Sequence, residues 1–135
     1  MEKVSSILAE FRLSFAQDEN QHESNKKRAQ LTARDKGQKA ILLVDSLLQC
    51  AQQQIDQFLA PTLDSLLRLA TDETSRDVRQ AASDALNRLV GYLPENLLTK
   101  LRYLLFKHLQ HAVNQPTKSI PRLKVIFIFY FFNKK

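Results

Sequence analysis

Apolar residues recur every three or four positions along most of the chain, with polar residues between them. This spacing places apolar side chains on one face of an α-helix. It predicts a first helix over residues 1–17 and a series of further helices over residues 35–124. Residues 18–34, between these regions, hold few apolar side chains and are predicted to form a flexible linker. The pattern therefore indicates an all-α fold in which a separate amphipathic helix precedes a helical array.

The first helix carries a narrow apolar stripe, and Leu13 falls on its opposite side. A stripe of this kind can dock on its own protein, on a partner, or in a membrane interface. The flanking charges are mixed rather than strongly basic, which weakens the membrane interpretation taken alone. We predict reversible docking on a membrane or a partner through this stripe. Its residues are Val4, Ile7, Leu8, Phe11 and Phe15.

The array itself is predicted to contain four helices. One apolar face begins after Asp35 and continues to Ile55. A helix over about residues 57–70 follows, and Pro61 either opens it at its first turn or kinks it. The last predicted helix covers residues 95–113.

Residues 66–90 are the most informative stretch of the array. They read LLRLATDETSRDVRQAASDALNRLV: a leucine-rich helix, a polar turn, and a helix with alanines on one face. Small side chains allow two helices to approach closely, which suits an antiparallel hairpin. Gly91 is well placed to end the second helix.

This stretch resembles the HEAT repeat, in which an acidic residue of the turn interacts with the arginine that follows a valine. The resemblance implies that Arg79 pairs with Glu73 or Asp72, and it leaves the choice between them open. It also implies an α-solenoid fragment of antiparallel helical hairpins. The residues expected to hold the hairpin are Leu66, Leu69, Asp72, Glu73, Val78, Arg79, Ala82, Ala85, Leu86 and Leu89.

Composition narrows the function classes. The only cysteine, Cys50, excludes a disulfide framework and favours a reducing compartment. His108 and His111 have no cysteine or carboxylate close by in sequence, and no catalytic or phosphate-binding motif appears. We therefore expect no enzyme, cofactor, metal or small-molecule substrate. The net charge is +6, but the basic run over residues 26–39 has no interleaved aromatics, so we expect no nucleic acid as a partner.

Three segments, in order, are similar to the N-terminal end of the huntingtin family of HEAT-repeat scaffolds. They are EKVSSILAEFRLSFAQ, KKRAQLTARDKGQKAILLVDSLLQ, and TDETSRDVRQAASDALNRLV with NLLTKLRYLLFKHLQ. The resemblance implies a non-catalytic scaffold for other proteins that supports vesicle transport along microtubules, autophagy and complex assembly. It implies a cytoplasmic location, with the nucleus and vesicle surfaces as further sites. The glutamine tract and proline-rich segment of vertebrate members are missing after the first helix. The alternative is a generic HEAT or armadillo adaptor, for example in nuclear transport.

Residues 125–135 form an atypical apolar tail that begins VIFIFYFF. This run is too short to span a membrane and would be prone to aggregate if exposed. Its composition is what translated AT-rich non-coding sequence yields. One interpretation is therefore a truncated array with a mispredicted terminus, and the alternative is a buried C-terminal helix.

Overall fold

Five α-helices make up the part of the chain that the structure describes. The computed structural model covers residues 2–19, 32–72 and 75–113, and the side chains of residues 17–19, 72, 112 and 113 lie outside that description. The predicted all-α class is confirmed for these residues. In chain order the helices are α1 (Glu2–Glu19), α2 (Ala33–Leu48), α3 (Gln52–Asp72), α4 (Arg76–Tyr92) and α5 (Glu95–Val113).

Two of the helices begin after a hydroxyl side chain that caps them. Thr32 Oγ1 accepts a hydrogen bond from the N–H of Asp35 at 3.1 Å, and Ser75 Oγ accepts one from the N–H of Val78 at 3.3 Å. Each hydroxyl satisfies a backbone donor that has no partner inside the helix. Ser75 therefore caps α4, whose first residue is Arg76.

Replacing Ser75 by alanine is expected to lower the free energy of unfolding by about 1 kcal/mol, because the N–H of Val78 loses its acceptor. Urea unfolding followed by circular dichroism measures the loss. Ser75→Asn keeps a side-chain acceptor and serves as the matched control. Equal losses in the two variants would contradict the capping role of Ser75.

The boundary between α2 and α3 differs from the prediction. The N–H groups of Gln49 and Cys50 bond to carbonyls three residues back, at 3.2 and 3.0 Å, which tightens the chain into a turn. Helix α3 then starts at Gln52, so Ile55 is buried on α3 rather than on the face of α2. The turn contains neither glycine nor proline, and the apolar spacing runs through it unbroken. Spacing alone therefore could not locate it.

Pro61 lies inside α3 and does not open it, so the first of its two predicted roles is wrong. The helix begins at Gln52 and continues past Pro61 to Asp72. Proline lacks an N–H, so the carbonyl of Gln57 receives no helical hydrogen bond from it. Gln57 and Pro61 are both exposed, which lets water serve that carbonyl.

Helix α4 also ends differently from the prediction. It continues through Gly91 to Tyr92, and no described glycine has a positive φ. The helix closes when the N–H of Leu93 bonds to the carbonyl of Leu89 at 3.2 Å. Gly91 is therefore an ordinary helical residue and not a left-handed stop.

The helices pack as two layers. Helix α1 contacts α2 and α3, α2 contacts α3 and α4, and α3 contacts α4 and α5. This alternation places α1, α3 and α5 in one layer, called layer A, and α2 and α4 in the other, called layer B. The contact between α2 and α4 is the most extensive in the described part of the chain.

Burial repeats along the chain with a period of 42 residues. The five buried positions of α2 are each followed 42 residues later by a buried position of α4. Three buried positions of α3 recur in α5 at the same separation. A period of about 40–47 residues is that of helical hairpin arrays. The matched pairs are Lys36 and Val78, Ala40 and Ala82, Leu43 and Ala85, Val44 and Leu86, Leu47 and Leu89, Ile55 and Leu97, Leu59 and Leu101, and Leu63 and Leu105.

Among the described residues, two buried hydroxyls, those of Ser14 and Thr62, have no hydrogen-bond partner. Thr62 on α3 is fully buried, and its Oγ1 bonds to nothing. A buried hydroxyl without a partner destabilises a fold, because it has lost its hydrogen bonds to water. Valine has nearly the same shape and no hydroxyl.

Thr62→Val is therefore expected to raise the free energy of unfolding by about 1 kcal/mol. Thermal and urea unfolding measure the gain. Thr99→Val is the control, because Thr99 is exposed and its hydroxyl already donates to the carbonyl of Glu95 at 3.2 Å. A loss of stability in Thr62→Val would show that the hydroxyl is satisfied in solution.

Candidate interaction surfaces

The predicted docking stripe of α1 lies inside the fold, which corrects the prediction of a separate N-terminal helix. Its first four residues are at most 8% exposed and belong to the common core, and Phe15 packs against that core. Outside the stripe, Leu13 is 64% exposed, as the pattern predicted. The helix packs because its apolar face meets the apolar faces of α2 and α3, and burying that face is favourable. The buried stripe residues are Val4, Ile7, Leu8 and Phe11.

Polar contacts hold α1 at the same place. Lys39 Nζ on α2 lies 2.8 Å from Glu10 Oε1. The guanidinium carbon of Arg68 on α3 lies 4.3 Å from the centroid of the Phe15 ring. The rings of Phe11 and Phe15 stack, with centroids 6.1 Å apart and planes at 13°. Helix α1 is thus joined to α2 by an ion pair and to α3 by a cation–π contact.

The described members of the predicted hairpin lie on α3 and α4, and most of them are buried. Arg79 is half-buried. Glu73 and the side chain of Asp72 lie outside the described residues, so the acidic partner predicted for Arg79 stays a prediction. The remaining residues are 1% exposed or less: Leu66, Leu69, Val78, Ala82, Ala85, Leu86 and Leu89.

An ion pair and a close approach of the two helices join α2 to α4. Arg88 Nη1 lies 2.7 and 3.0 Å from the two carboxylate oxygens of Asp45, a separation of 43 residues. At the other end of the pair, a Cβ added to Gly37 would lie 3.4 Å from Cβ of Ala81. Gly37 and Ala81 lie in the first halves of their helices, whereas Asp45 and Arg88 lie near the ends. The two helices therefore run parallel.

Polar contacts at a similar sequence separation join α3 to α5. Asn96 Nδ2 donates to Gln52 Oε1 at 3.4 Å, and Lys100 Nζ lies 2.7 Å from Asp56 Oδ1, each across 44 residues. These contacts make α3 and α5 parallel as well. None of the residues in these contacts between helices was predicted from the sequence. The signal that could have found them is the internal period, since residues one period apart become neighbours in stacked repeats.

Exposed apolar side chains occur on both layers of the described helices. Tyr92 is 75% exposed and Tyr103 58%, and the ammonium of Lys107 lies 5.4 Å from the centroid of the Tyr103 ring. Phe106 and Leu42 are each 40% exposed. Single exposed apolar residues are ordinary on a protein surface.

The described part of the basic run is not a free cationic surface. Lys36 is buried, Lys39 is paired with Glu10, and Arg34 is exposed. An open groove of about 540 Å³ lies at the start of α2 and α4. Its lining carries one cation and one carboxylate, so its charges largely cancel. The groove is lined by Ala33, Arg34, Gly37, Gln38, Ser75 and Asp77.

The described residues contain no group of three or more histidine, cysteine or carboxylate side chains that could hold a metal ion. His108 is half-buried, and His111 is exposed near the end of α5. Cys50 is half-buried in the turn after α2, and its Sγ lies 3.4 Å from the carbonyl oxygen of Ser46. The helices described are also too short or too polar for any of them to cross a lipid bilayer.

Comparisons with known proteins complete this picture without adding a family. No family model, curated protein or solved structure matches the chain.

Proposed function

We propose that this protein is a non-catalytic scaffold of the huntingtin type, built as a HEAT-like helical array. It would assemble other proteins on its helical surfaces and thereby support vesicle transport along microtubules and autophagy. It would act in the cytoplasm, with the nucleus and vesicle surfaces as further sites. The observation that supports this proposal best is the period of 42 residues in burial, together with parallel contacts at separations of 43 and 44 residues.

The arrangement of the layers supports an array rather than a closed bundle. In a stacked array each hairpin contacts only its neighbours, which matches α1, α2 and α3, since each of them contacts the next helix and the next but one. The alanines at positions 40, 82 and 85 are fully buried, as expected where layer B helices approach closely. Extended stacks of this kind offer long surfaces to partner proteins.

Membrane contact by α1 would require its release, because its apolar stripe is covered by α2 and α3. Lys39→Glu tests this step on the full chain. The substitution places a carboxylate opposite Glu10, weakens the docking of α1, and leaves the sequence of α1 unchanged. Flotation with phosphatidylserine-containing vesicles should then show binding at lower lipid concentration than for the parent chain.

The charge change by itself works against this result, since a more negative protein binds anionic vesicles less well. Lys107→Glu makes the same charge change at an exposed site of α5 and should reduce binding. The double variant Glu10→Lys/Lys39→Glu restores an ion pair and should return binding toward the parent level. If Lys39→Glu behaves like Lys107→Glu, reversible membrane docking by α1 is wrong.

The second candidate is a generic HEAT or armadillo adaptor, for example in nuclear transport. The burial of Val4, Ile7, Leu8 and Phe11 favours it, because α1 then serves as one more helix of layer A. Such an adaptor needs no release of α1 and no membrane. Absence of vesicle binding by every variant above, with retained binding to other proteins, would select this candidate.

A further inference from the structure

Helix α5 exposes two large aromatic side chains on the same side of the helix. Tyr103 is 58% exposed and Phe106 40%, and a separation of three residues makes them neighbours on the helix surface. The ammonium of Lys107 lies 5.4 Å from the centroid of the Tyr103 ring. A cation therefore accompanies the two rings. Tyr103, Phe106 and Lys107 are called the aromatic face below.

The internal period shows that the two rings lie on the outer surface of layer A. One period of 42 residues before Tyr103 and Phe106 are Pro61 and Asp64 of α3. Helix α3 contacts the other four described helices, yet Pro61 and Asp64 are exposed. Neighbours on every side of a helix thus leave these two positions open to solvent. The exposure of Tyr103 and Phe106 is therefore not explained by α5 being the last described helix of its layer.

The surroundings of the aromatic face are positively charged. After its first residue α5 carries no carboxylate. Lys100 is paired with Asp56 of α3 at 2.7 Å, which leaves the half-buried Arg102 and the exposed Lys107 as the other full charges of α5. Asp64 of the neighbouring α3 offsets only one of them. The rings are thus set in a surface with an excess of cations.

We propose that the aromatic face is a docking surface for an acidic amphipathic helix of a partner protein. Apolar side chains of the partner would pack on Tyr103 and Phe106, and its carboxylates would meet Lys107 and Arg102. Aromatic residues and arginine are enriched where proteins bind one another, and opposite charges across an interface set orientation and association rate. This proposal rests on the scaffold function proposed above and adds the chemistry of one partner.

A protein partner fits this surface better than a lipid bilayer or a nucleic acid. An amphipathic helix enters a bilayer through its whole apolar face, and the apolar face of α5 is buried in the core at Leu97, Leu101 and Leu105. Nucleic acids are held chiefly by rows of cations along their phosphates. Two full charges beside two rings suffice for a short acidic helix.

Selection of peptides on the full chain tests the proposal. A phage-displayed library of random peptides is the probe, and the affinity of each selected peptide is measured by fluorescence anisotropy. The selected peptides should be rich in Asp and Glu, with Leu or Phe at helical spacing. The double variant Tyr103→Ala/Phe106→Ala should lower their affinity by about tenfold or more. Tyr92→Ala removes a ring that is 75% exposed on α4 and should leave the affinity unchanged.

A second pair of variants tests the charge without removing a ring. Lys107→Glu should weaken binding of the selected peptides, because it places a carboxylate opposite theirs. Arg76→Glu makes the same charge change at an exposed site of α4 and should have little effect. Circular dichroism and thermal unfolding verify that each variant keeps the fold of the parent. The two pairs change different side chains, so a folding defect in one leaves the other as the test.

Three results would overturn the proposal. One is a selection that yields no peptide or peptides without an excess of carboxylates. Another is equal affinity for the parent, Tyr103→Ala/Phe106→Ala and Lys107→Glu. The third is binding of oligothymidine or phosphatidylserine vesicles, in place of peptides, that is lost in the double variant. If other proteins still bind all these variants equally, only the aromatic face is wrong and the scaffold function stands. A parent chain that binds no protein at all would refute the scaffold function itself.

Discussion

Replacing Phe11 by alanine is expected to lower the free energy of unfolding by about 3–5 kcal/mol, as for other fully buried phenylalanines. The side chain is fully buried, and its ring stacks on Phe15. Its removal would leave a cavity between α1 and the helices that cover it. Urea unfolding followed by circular dichroism at 222 nm measures the loss.

The control for this prediction is Leu13→Ala on the same helix. Leu13 is 64% exposed, so its truncation should change stability by less than about 0.5 kcal/mol. If Phe11→Ala were as mild as Leu13→Ala, α1 would be separate from the array, as the sequence pattern alone suggested. Hydrogen exchange locates the effect: the amides of α1 should lose protection first if α1 undocks before the rest unfolds.

The second large effect is expected at Leu66, a residue of the predicted hairpin. Leu66→Ala should lower the free energy of unfolding by about 2–5 kcal/mol, because the leucine is fully buried in α3 and alanine leaves a cavity. The same unfolding experiment measures it. Leu42→Ala provides the comparison, since Leu42 is 40% exposed on α2 and loses less contact on truncation.

Hydrogen exchange on the two variants also shows which helices each side chain stabilises. If Leu66→Ala lowers the free energy of unfolding, the hydrogen-exchange protection of amides in both α3 and α4 should fall. Leu66 is buried in the core that these two helices share. A loss confined to α1 in Phe11→Ala would support its release as a discrete step. That step is the one that membrane docking by α1 requires. A uniform loss across all five helices would instead favour the adaptor, in which α1 is an integral helix.

Parts of the fold could be read locally, and α5 is the clearest case. Its predicted start at residue 95 is the one observed, because Glu95 follows Pro94 and opens an uninterrupted apolar spacing. The start of α4 was equally accessible, since Ser75 and Asp77 are strong local signals for a helix N-terminus. The turn at residues 49–51 was not accessible. Its sequence carries no breaker, and the chain turns there because α3 must pack on α2.

The interaction surfaces were less accessible than the helices. The stripe of α1 was identified correctly as apolar, but its partner was not. The ion pairs Asp45–Arg88 and Asp56–Lys100 were not foreseen, because each partner lies more than forty residues away. Exposed pairs of this kind contribute at most about 1 kcal/mol. They indicate the register of the stack rather than provide its stability.

By itself, the sequence determined the helical class of the described residues and the apolar face of each helix. These follow from local spacing, since the helical period alone decides which side chains share a face. Only the tertiary structure decided that α1 packs on the array, that α2 ends at Leu48, and that helices one period apart run parallel. An apolar stripe is equally well buried by its own chain, by a partner or by a lipid surface. Burial is non-directional, so the choice depends on shape and on contacts between residues distant in sequence.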